Sequence, residues 1–239
     1  PHAASTAQKR RGDQIPRLRN HPSIFTWLMG SDNHPTEDIE RMYIKTLNGL
    51  DTTRPYESSA TQDSSAVTGP TGVWMGPYPD VYAYEVPSYW YTKLEFNMEA
   101  APAGEQLPPL ETMRKMMPEK DMWPMSESWT IRLHKAFFPQ MRKALFARYG
   151  EPQGVEEYSI KSQVHQYEAT RAMFEAFAAN KYKSSGIIFW MYNSAWPSLY
   201  WQLYDYLMAP NGAFYGTRKA NEKLHIQYAY DDGSIRVIN

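Results

Sequence analysis

Cysteine is absent from all 239 residues, which excludes disulfides, thiolate zinc sites and a cysteine nucleophile. The absence leaves the compartment open. Neither sign of charge is in excess, because 25 Lys+Arg stand against 26 Asp+Glu and no dense basic stripe supplies the footprint that a phosphate backbone requires. No nucleic-acid partner is expected. Long apolar runs are also missing: the best, such as Gly186 to Met191, fall far short of the roughly 20 residues that cross a bilayer. No membrane span or membrane partner is expected. The six histidines, His2, His21, His34, His134, His165 and His225, are scattered without metal-ligand spacing. Neither Gly-x-Ser-x-Gly nor a Gly-rich phosphate loop occurs. The sequence therefore predicts no metal and no cofactor.

What is present suits a globular chain: 42% hydrophobic and 15% aromatic residues at this length can bury one large core or two modest ones. Pro1 to Arg19 is polar and basic and reads as the tail of a helix or a frayed end. Ile24 to Met29, between Pro22 and Gly30, reads as a strand buried on both faces. Pro35 and Thr36 open a helix whose first turn carries Glu37 and Asp38, with Ile39, Met42, Tyr43, Leu47 and Leu50 on one face. Pro55 to Ala60 and Leu94 to Asn97 are further strand candidates, joined by a long loop from Thr61 to Tyr91 that is rich in aromatics. Pro108 to Met117, Phe138 to Tyr149 and Glu156 to Ala179 follow as helices, the last with Ile160, Val164, Tyr167, Arg171, Phe174 and Ala178 at helical spacing. Gly186 to Tyr192 is the clearest strand. Met113, Met116, Met117, Met122 and Met125 read as core filler.

Strands alternating with amphipathic helices imply parallel βαβ units of an α/β fold, and four such strands make half of an eight-stranded barrel. After Asp205, Gly212 and Gly216 punctuate the chain, and His225 to Tyr230 and Ser234 to Ile238 read as two strands around a turn at Asp231, Asp232 and Gly233. The expected division is a 1–210 barrel segment and a 211–239 all-β start. With no Met at its head and a strand at its end, the chain reads as a fragment whose N-terminal domains lie upstream. The segment alone is expected to be inactive, since half a barrel leaves strand edges uncovered.

Catalytic groups of a barrel stand at the C-terminal ends of its strands. Two acids occupy such places, Asp32 after the Ile24 strand and Glu99 after the Phe96 strand. Facing carboxylates suit glycoside hydrolysis, one as acid/base and one as nucleophile or base. Position alone leaves both readable as solvated loop acids. Sugar rings pack their C–H faces on aromatic planes, and Trp74, Tyr78, Tyr82, Tyr84, Tyr89, Trp90 and Tyr91 crowd one loop, while Trp190, Tyr192, Trp196, Tyr200 and Trp201 surround the last strand end. Most of these aromatics are expected to be core. Asn193 and Trp196, just past a strand terminus, are the best candidates for sugar contact.

The stretch Leu18-Arg-Asn-His-Pro-Ser23, the strand leading to Gly30-Ser-Asp32, the segment Phe96-Asn-Met-Glu99 and Phe189-Trp-Met-Tyr-Asn-Ser-Ala-Trp-Pro197 together resemble glycoside hydrolase family 2. The resemblance runs from about Ile15 to Asn239. Most of that family carries Asn-Glu where Ser31-Asp32 stands, and the substitution resembles the exo-β-D-glucosaminidase branch. Gly69-Pro-Thr-Gly72, Gly76-Pro-Tyr78, Pro87-Ser-Tyr-Trp-Tyr91, Tyr215-Gly-Thr-Arg-Lys-Ala220, Leu224-His-Ile-Gln-Tyr228 and Tyr230-Asp-Asp232 resemble the same branch. The resemblance implies the C-terminal half of a (β/α)8 TIM barrel followed by the first strands of an immunoglobulin-like β-sandwich. It also implies a secreted or periplasmic enzyme releasing glucosamine from chitosan oligosaccharides, with Asp32 as acid/base, Glu99 as nucleophile, and Ser31, Trp74, Tyr78, Asn193 and Trp196 around the sugar. Met98 and Ala100-Ala101-Pro102 depart from the family pattern near the nucleophile. A β-mannosidase or endo-β-mannosidase, which keeps Asn-Glu, and a catalytically silent carbohydrate-binding module are the alternatives.

Retention would place the two carboxyl groups about 5 to 5.5 Å apart. An aspartic acid starts from a pKa of roughly 3.9 and must be raised to donate a proton near neutrality, which a neighbouring carboxylate promotes and a substrate ammonium opposes. A mildly acidic optimum is the expectation. The ammonium also needs an anionic partner on desolvation, and neither Glu57 nor Glu127 can be given that role from the sequence.

Overall fold

The computed structural model describes residues 2–31, 33–60, 64–70, 85–92, 96–102, 106–133 and 138–239. The chain mixes helix and strand and divides into two compact units, Pro1–Met75 and Gly76–Asn239.

In the first unit, helix α1 (His2–Leu18) precedes strand β1 (Trp27–Gly30), helix α2 (Glu37–Leu50), strand β2 (Tyr56–Ser59) and a minimal hairpin, β3 (Ser64–Ser65) with β4 (Gly69–Pro70). β1 and β2 pair in parallel, Trp27 beside Tyr56 and Gly30 beside Ser59, so β1-α2-β2 is the expected βαβ unit. The acids Glu37, Asp38 and Glu40 in the first turn of α2 complement its dipole. Ile15, Trp27, Met29 and Leu47 form the core of this unit, with Tyr43 and Leu50 packed against it. The strand starts later than the apolar run suggests. Ile24 and Phe25 lie before the ladder, which opens where Trp27 N–H donates to Pro55 O.

Asp51 closes α2 and is buried. Its Oδ1 accepts from Thr53 N–H and Thr53 Oγ1, and its Oδ2 from Trp27 Nε1 (3.0 Å) and Arg54 (2.8 Å). The Thr53 hydrogen bonds, first among these causes, hold the carboxyl far below its ordinary range. Glu40 is a second buried acid. Burial would raise it, but hydroxyl donors from Ser65, Ser58, Thr68 and Tyr56 together outweigh burial and lower it. Both carboxylates tie loops to the βαβ unit.

The second unit begins with the one-turn helix α3 (Pro87–Trp90), inside the stretch expected as loop, and strand β5 (Phe96–Ala100). Helices α4 (Leu110–Met116), α5 (Glu119–Met122), α6 (Glu127–Thr130), α7 (Phe138–Tyr149) and α8 (Val155–Ala179) follow, then strand β6 (Gly186–Phe189), helix α9 (Gly212–Ala220) and the hairpin β7 (His225–Tyr228) with β8 (Ile235–Ile238). β5 and β6 pair in parallel. Among the described strands, β1–β2 and β5–β6 are the parallel pairs, one in each unit. Leu107, Met113, Met117, Met122, Trp129, Leu145, Tyr158 and Leu199 form the main core, with Met116 and Met125 packed against it. The methionine cluster is core filler, as expected.

Two expectations need correction. The apolar series on α8 faces the wrong way: Ile160 is 66% exposed and Val164 42%, whereas Ser159, Ser162, Ala169, Thr170, Ala172 and Ala176 are buried. α9 approaches α8 elsewhere, over the backbone of Gln163, Tyr167 and Arg171. Gly212 and Gly216 do not punctuate a loop, since both lie inside α9. A Cβ on Gly212 would stand 2.0 Å from Gln163 O, and one on Gly216 2.3 Å from Tyr167 O. The residues just after Pro210 are accordingly helical and packed on α8, within the unit that runs to Asn239. The hairpin forms as expected. His225 and Gln227 point inward, His225 Nε2 lying 2.8 Å from Glu175 Oε1, while Ile226, Tyr228, Ile235 and Val237 are exposed.

His165 on α8 packs edge-on against Tyr149, 6.1 Å between ring centres. Burial, and then the Arg148 charge, push its pKa down to about 3. The unfolded chain, with a histidine near 6.5, therefore binds the extra proton between pH 6.5 and 3. Stability is fully present above 6.5 and falls as pH drops through that window, by at most about 1.4 kcal/mol per unit. The His165→Leu variant of the full-length protein is expected to gain thermal midpoint over wild type at pH 4.5 relative to pH 7. An offset that does not change with pH would contradict this.

Candidate active site

The described residues place Glu99 on β5, one residue before its end, and not after the strand as the sequence suggested. The ladder with β6 shifts between Asn97, opposite Ile187, and Ala100, opposite Phe189, so residues 98 and 99 form a bulge. Such a bulge re-aims side chains at a strand end. Asn97 holds it locally: the residue is fully buried, and its Oδ1 accepts Glu99 N–H at 3.0 Å. Glu99 itself is buried, 9% exposed. The sequence reading missed Asn97, although an Asn two residues ahead of a backbone N–H is a recognisable local motif.

β6 ends alongside. Trp190 N–H donates to Ala100 O, and the chain then leaves the ladder, so the strand is three residues shorter than expected. The excursion from 190 to 211 folds tightly on itself: Met191 N–H donates to Trp201 O, and Leu203 and Tyr204 N–H both donate to Tyr192 O. Tyr192 packs on Tyr204 at 5.1 Å, and Trp196 on Tyr200 at 6.4 Å. Asn193 and Trp196 are exposed on this excursion, in the same unit as Glu99. An exposed indole and carboxamide beyond a strand terminus are suited to a sugar face and its hydroxyls.

The first unit supplies Ser31, exposed just past β1. Asp32, Trp74 and Tyr78 lie outside the described residues. Ser58 Oγ stands 3.0 Å from His34 Nδ1 beyond the end of β1. Among the described residues, no group of three His, Cys, Asp or Glu side chains is arranged to hold a metal ion, and no helix is long and apolar enough to cross a membrane.

No family model matches the chain. Its relatives are named glycoside hydrolases. The exo-β-D-glucosaminidase of Streptomyces avermitilis is 40% identical over 93% of this chain, and that of Amycolatopsis orientalis 38% identical over the same share. The crystal structure of the Amycolatopsis orientalis exo-chitosanase superposes with a TM-score of 0.86 at 35% identity, covering 99% of this chain and 30% of that one. Mannosidases are more distant: an endo-β-mannosidase of Lilium longiflorum is 26% identical. The chain is homologous to the exo-β-D-glucosaminidases, and the resemblance of its motifs to that branch of glycoside hydrolase family 2 is borne out. It spans about a quarter of the length of the curated relatives it matches, 26% and 23% for the two above.

Proposed function

We propose that this chain is the part of a retaining exo-β-D-glucosaminidase that carries both catalytic carboxylates, Asp32 as acid/base and Glu99 as nucleophile. The reading is carried by 40% identity to a named exo-β-D-glucosaminidase over 93% of the chain. It is supported by the buried, bulge-held placement of Glu99 at a strand end. Solved exo-chitosanase complexes with PNP-β-D-glucosamine, one in an Asp→Ala and one in a Glu→Ala variant, agree with a two-carboxylate site in that relative. Within this reading, Ser31, Trp74, Tyr78, Asn193 and Trp196 surround the sugar, and the two parallel strand pairs belong to the C-terminal half of a TIM barrel. The β7-β8 hairpin opens the sandwich that follows, whose further strands cover its outward apolar face.

In the first step a Glu99 carboxylate oxygen bonds to the anomeric carbon as the glycosidic C–O bond breaks, and Asp32 gives its proton to the departing oxygen. In the second, Asp32 takes a proton from water, whose oxygen displaces Glu99 and restores the β configuration. The test compares aryl β-glucosaminide, β-mannoside, β-galactoside and β-glucuronide hydrolysis by the full-length protein. The glucosaminide is expected to lead by at least tenfold in kcat/KM. A mannoside preference would overturn the substrate assignment.

A further inference from the structure

Behind the candidate site lies a set of buried carboxamides that the proposed chemistry does not use. Gln106 is wholly inaccessible. Its Nε2 donates to Pro102 O at 2.7 Å and its Oε1 accepts Trp201 N–H at 2.6 Å. Its own backbone carbonyl accepts from Gln202 Nε2 at 3.0 Å and Asn211 Nδ2 at 3.4 Å. Gln202 and Asn211 are buried too, and Asn211 also donates to Gln202 O. The Gln106 side chain thereby joins two segments that leave neighbouring strands. Pro102 is three residues beyond Glu99, and Trp201 lies on the excursion that carries Asn193 and Trp196.

Covalent connection does not set the spacing of those segments, because residues 102 and 201 are nearly a hundred positions apart. A single side chain with one donor and one acceptor spans the gap, and no charged group takes part, since its partners are backbone amides and neutral carboxamides. An apolar side chain of similar size would fill the space but leave Pro102 O and Trp201 N–H without their partner. The two segments would then be free to shift against each other.

We infer that Gln106 is a positioning residue: it sets the register between the Glu99 segment and the aromatic excursion after β6, and so aligns the sugar with the nucleophile. This rests on the proposed function, with Glu99 as nucleophile and the excursion as the sugar-facing element. A misplacement of about 1 Å costs on the order of 10²-fold in rate. The loss belongs mainly to kcat, because loosely held aromatics still bind the ground state while alignment is needed in the transition state.

The experiment uses the full-length enzyme with an aryl β-glucosaminide. For Gln106→Leu, kcat is expected to fall on the order of 10²-fold with KM changed by less than about threefold. Gln106→Glu guards against simple misfolding. When protonated, its carboxyl keeps one O–H donor and one carbonyl acceptor in the same shape, so kcat is expected near wild type at low pH and to fall as pH rises, through an ionisation that wild type lacks. Wild-type kcat in Gln106→Leu, or a Gln106→Glu to wild-type ratio that is flat with pH, would overturn the inference. Glu99→Gln serves as the comparator. If that variant stays active, the site assignment fails; if it is dead while both Gln106 variants behave as wild type, only the positioning role fails.

Discussion

Replacing Glu99 with Gln in the full-length enzyme is expected to lower turnover of a β-glucosaminide by several orders of magnitude while leaving the fold intact. The amide is isosteric and keeps the backbone bond to Asn97 Oδ1, but it cannot form the glycosyl ester on which double displacement depends. Turnover within tenfold of wild type would refute the nucleophile assignment. Asp32→Ala is expected to behave differently. Its loss is severe for an oligosaccharide, whose leaving oxygen needs a proton, and much smaller in the first step for a dinitrophenyl glycoside, whose leaving group departs as a stable anion. The second step stays slow in both cases, because no base activates the water. Equal losses with both substrates in the first step would contradict an acid/base role for Asp32.

The second large effect is structural. Gly216→Ala would place a methyl group 2.3 Å from Tyr167 O and 3.1 Å from its carbonyl carbon. These are backbone atoms of α8 that cannot rotate aside. Alanine improves helix propensity by about 1 kcal/mol over glycine, whereas over-packing of a close interface costs about 3 kcal/mol at its upper end. The steric cost wins, and a net destabilisation of about 2 kcal/mol is expected in chemical denaturation. Gly49→Ala on α2 is the control, since a Cβ there meets nothing within 4 Å. It is expected to be neutral or stabilising. If both variants behave alike, the close approach of α9 to α8 is refuted.

That same interface shows where the sequence was legible and where it was not. α7 matched its expected bounds, and α8 and α2 differed by a residue or two, because long helical periodicity and acidic first turns are local signals. Which face of α8 is buried was not local. Periodicity weights Ile160 and Val164, whereas burial falls on Ser159, Ser162, Ala169 and Ala172, and which face is covered depends on elements distant in the sequence. Gly212 and Gly216 misled for the same reason, reading as breaks when their missing side chains let two helices touch. In the hairpin the strands and turn were readable, while the inward turn of His225 and Gln227 depends on Glu175 of α8.

At the candidate site, Glu99 was visible as an acid at a strand end. The bulge that carries it was not, since register against β6 is a long-range property. Gln106 had no signal at all: a glutamine in a loop normally faces water, and only the fold brings Pro102 and Trp201 within its reach. Asp32 and the sugar-facing roles of Trp74 and Tyr78 rest on motif resemblance, whereas Asn193 and Trp196 stand exposed on the excursion where a strand terminus predicted them.

The most direct measurement uses the full-length Asp32→Ala variant with 2,4-dinitrophenyl β-D-glucosaminide. This substrate needs no acid to form the glycosyl-enzyme, which then persists because no base assists water. Peptide mass spectrometry of the quenched reaction is expected to find one glucosaminyl group esterified to Glu99. A label on another residue, or no label together with release of the α anomer, would contradict retaining hydrolysis through Glu99.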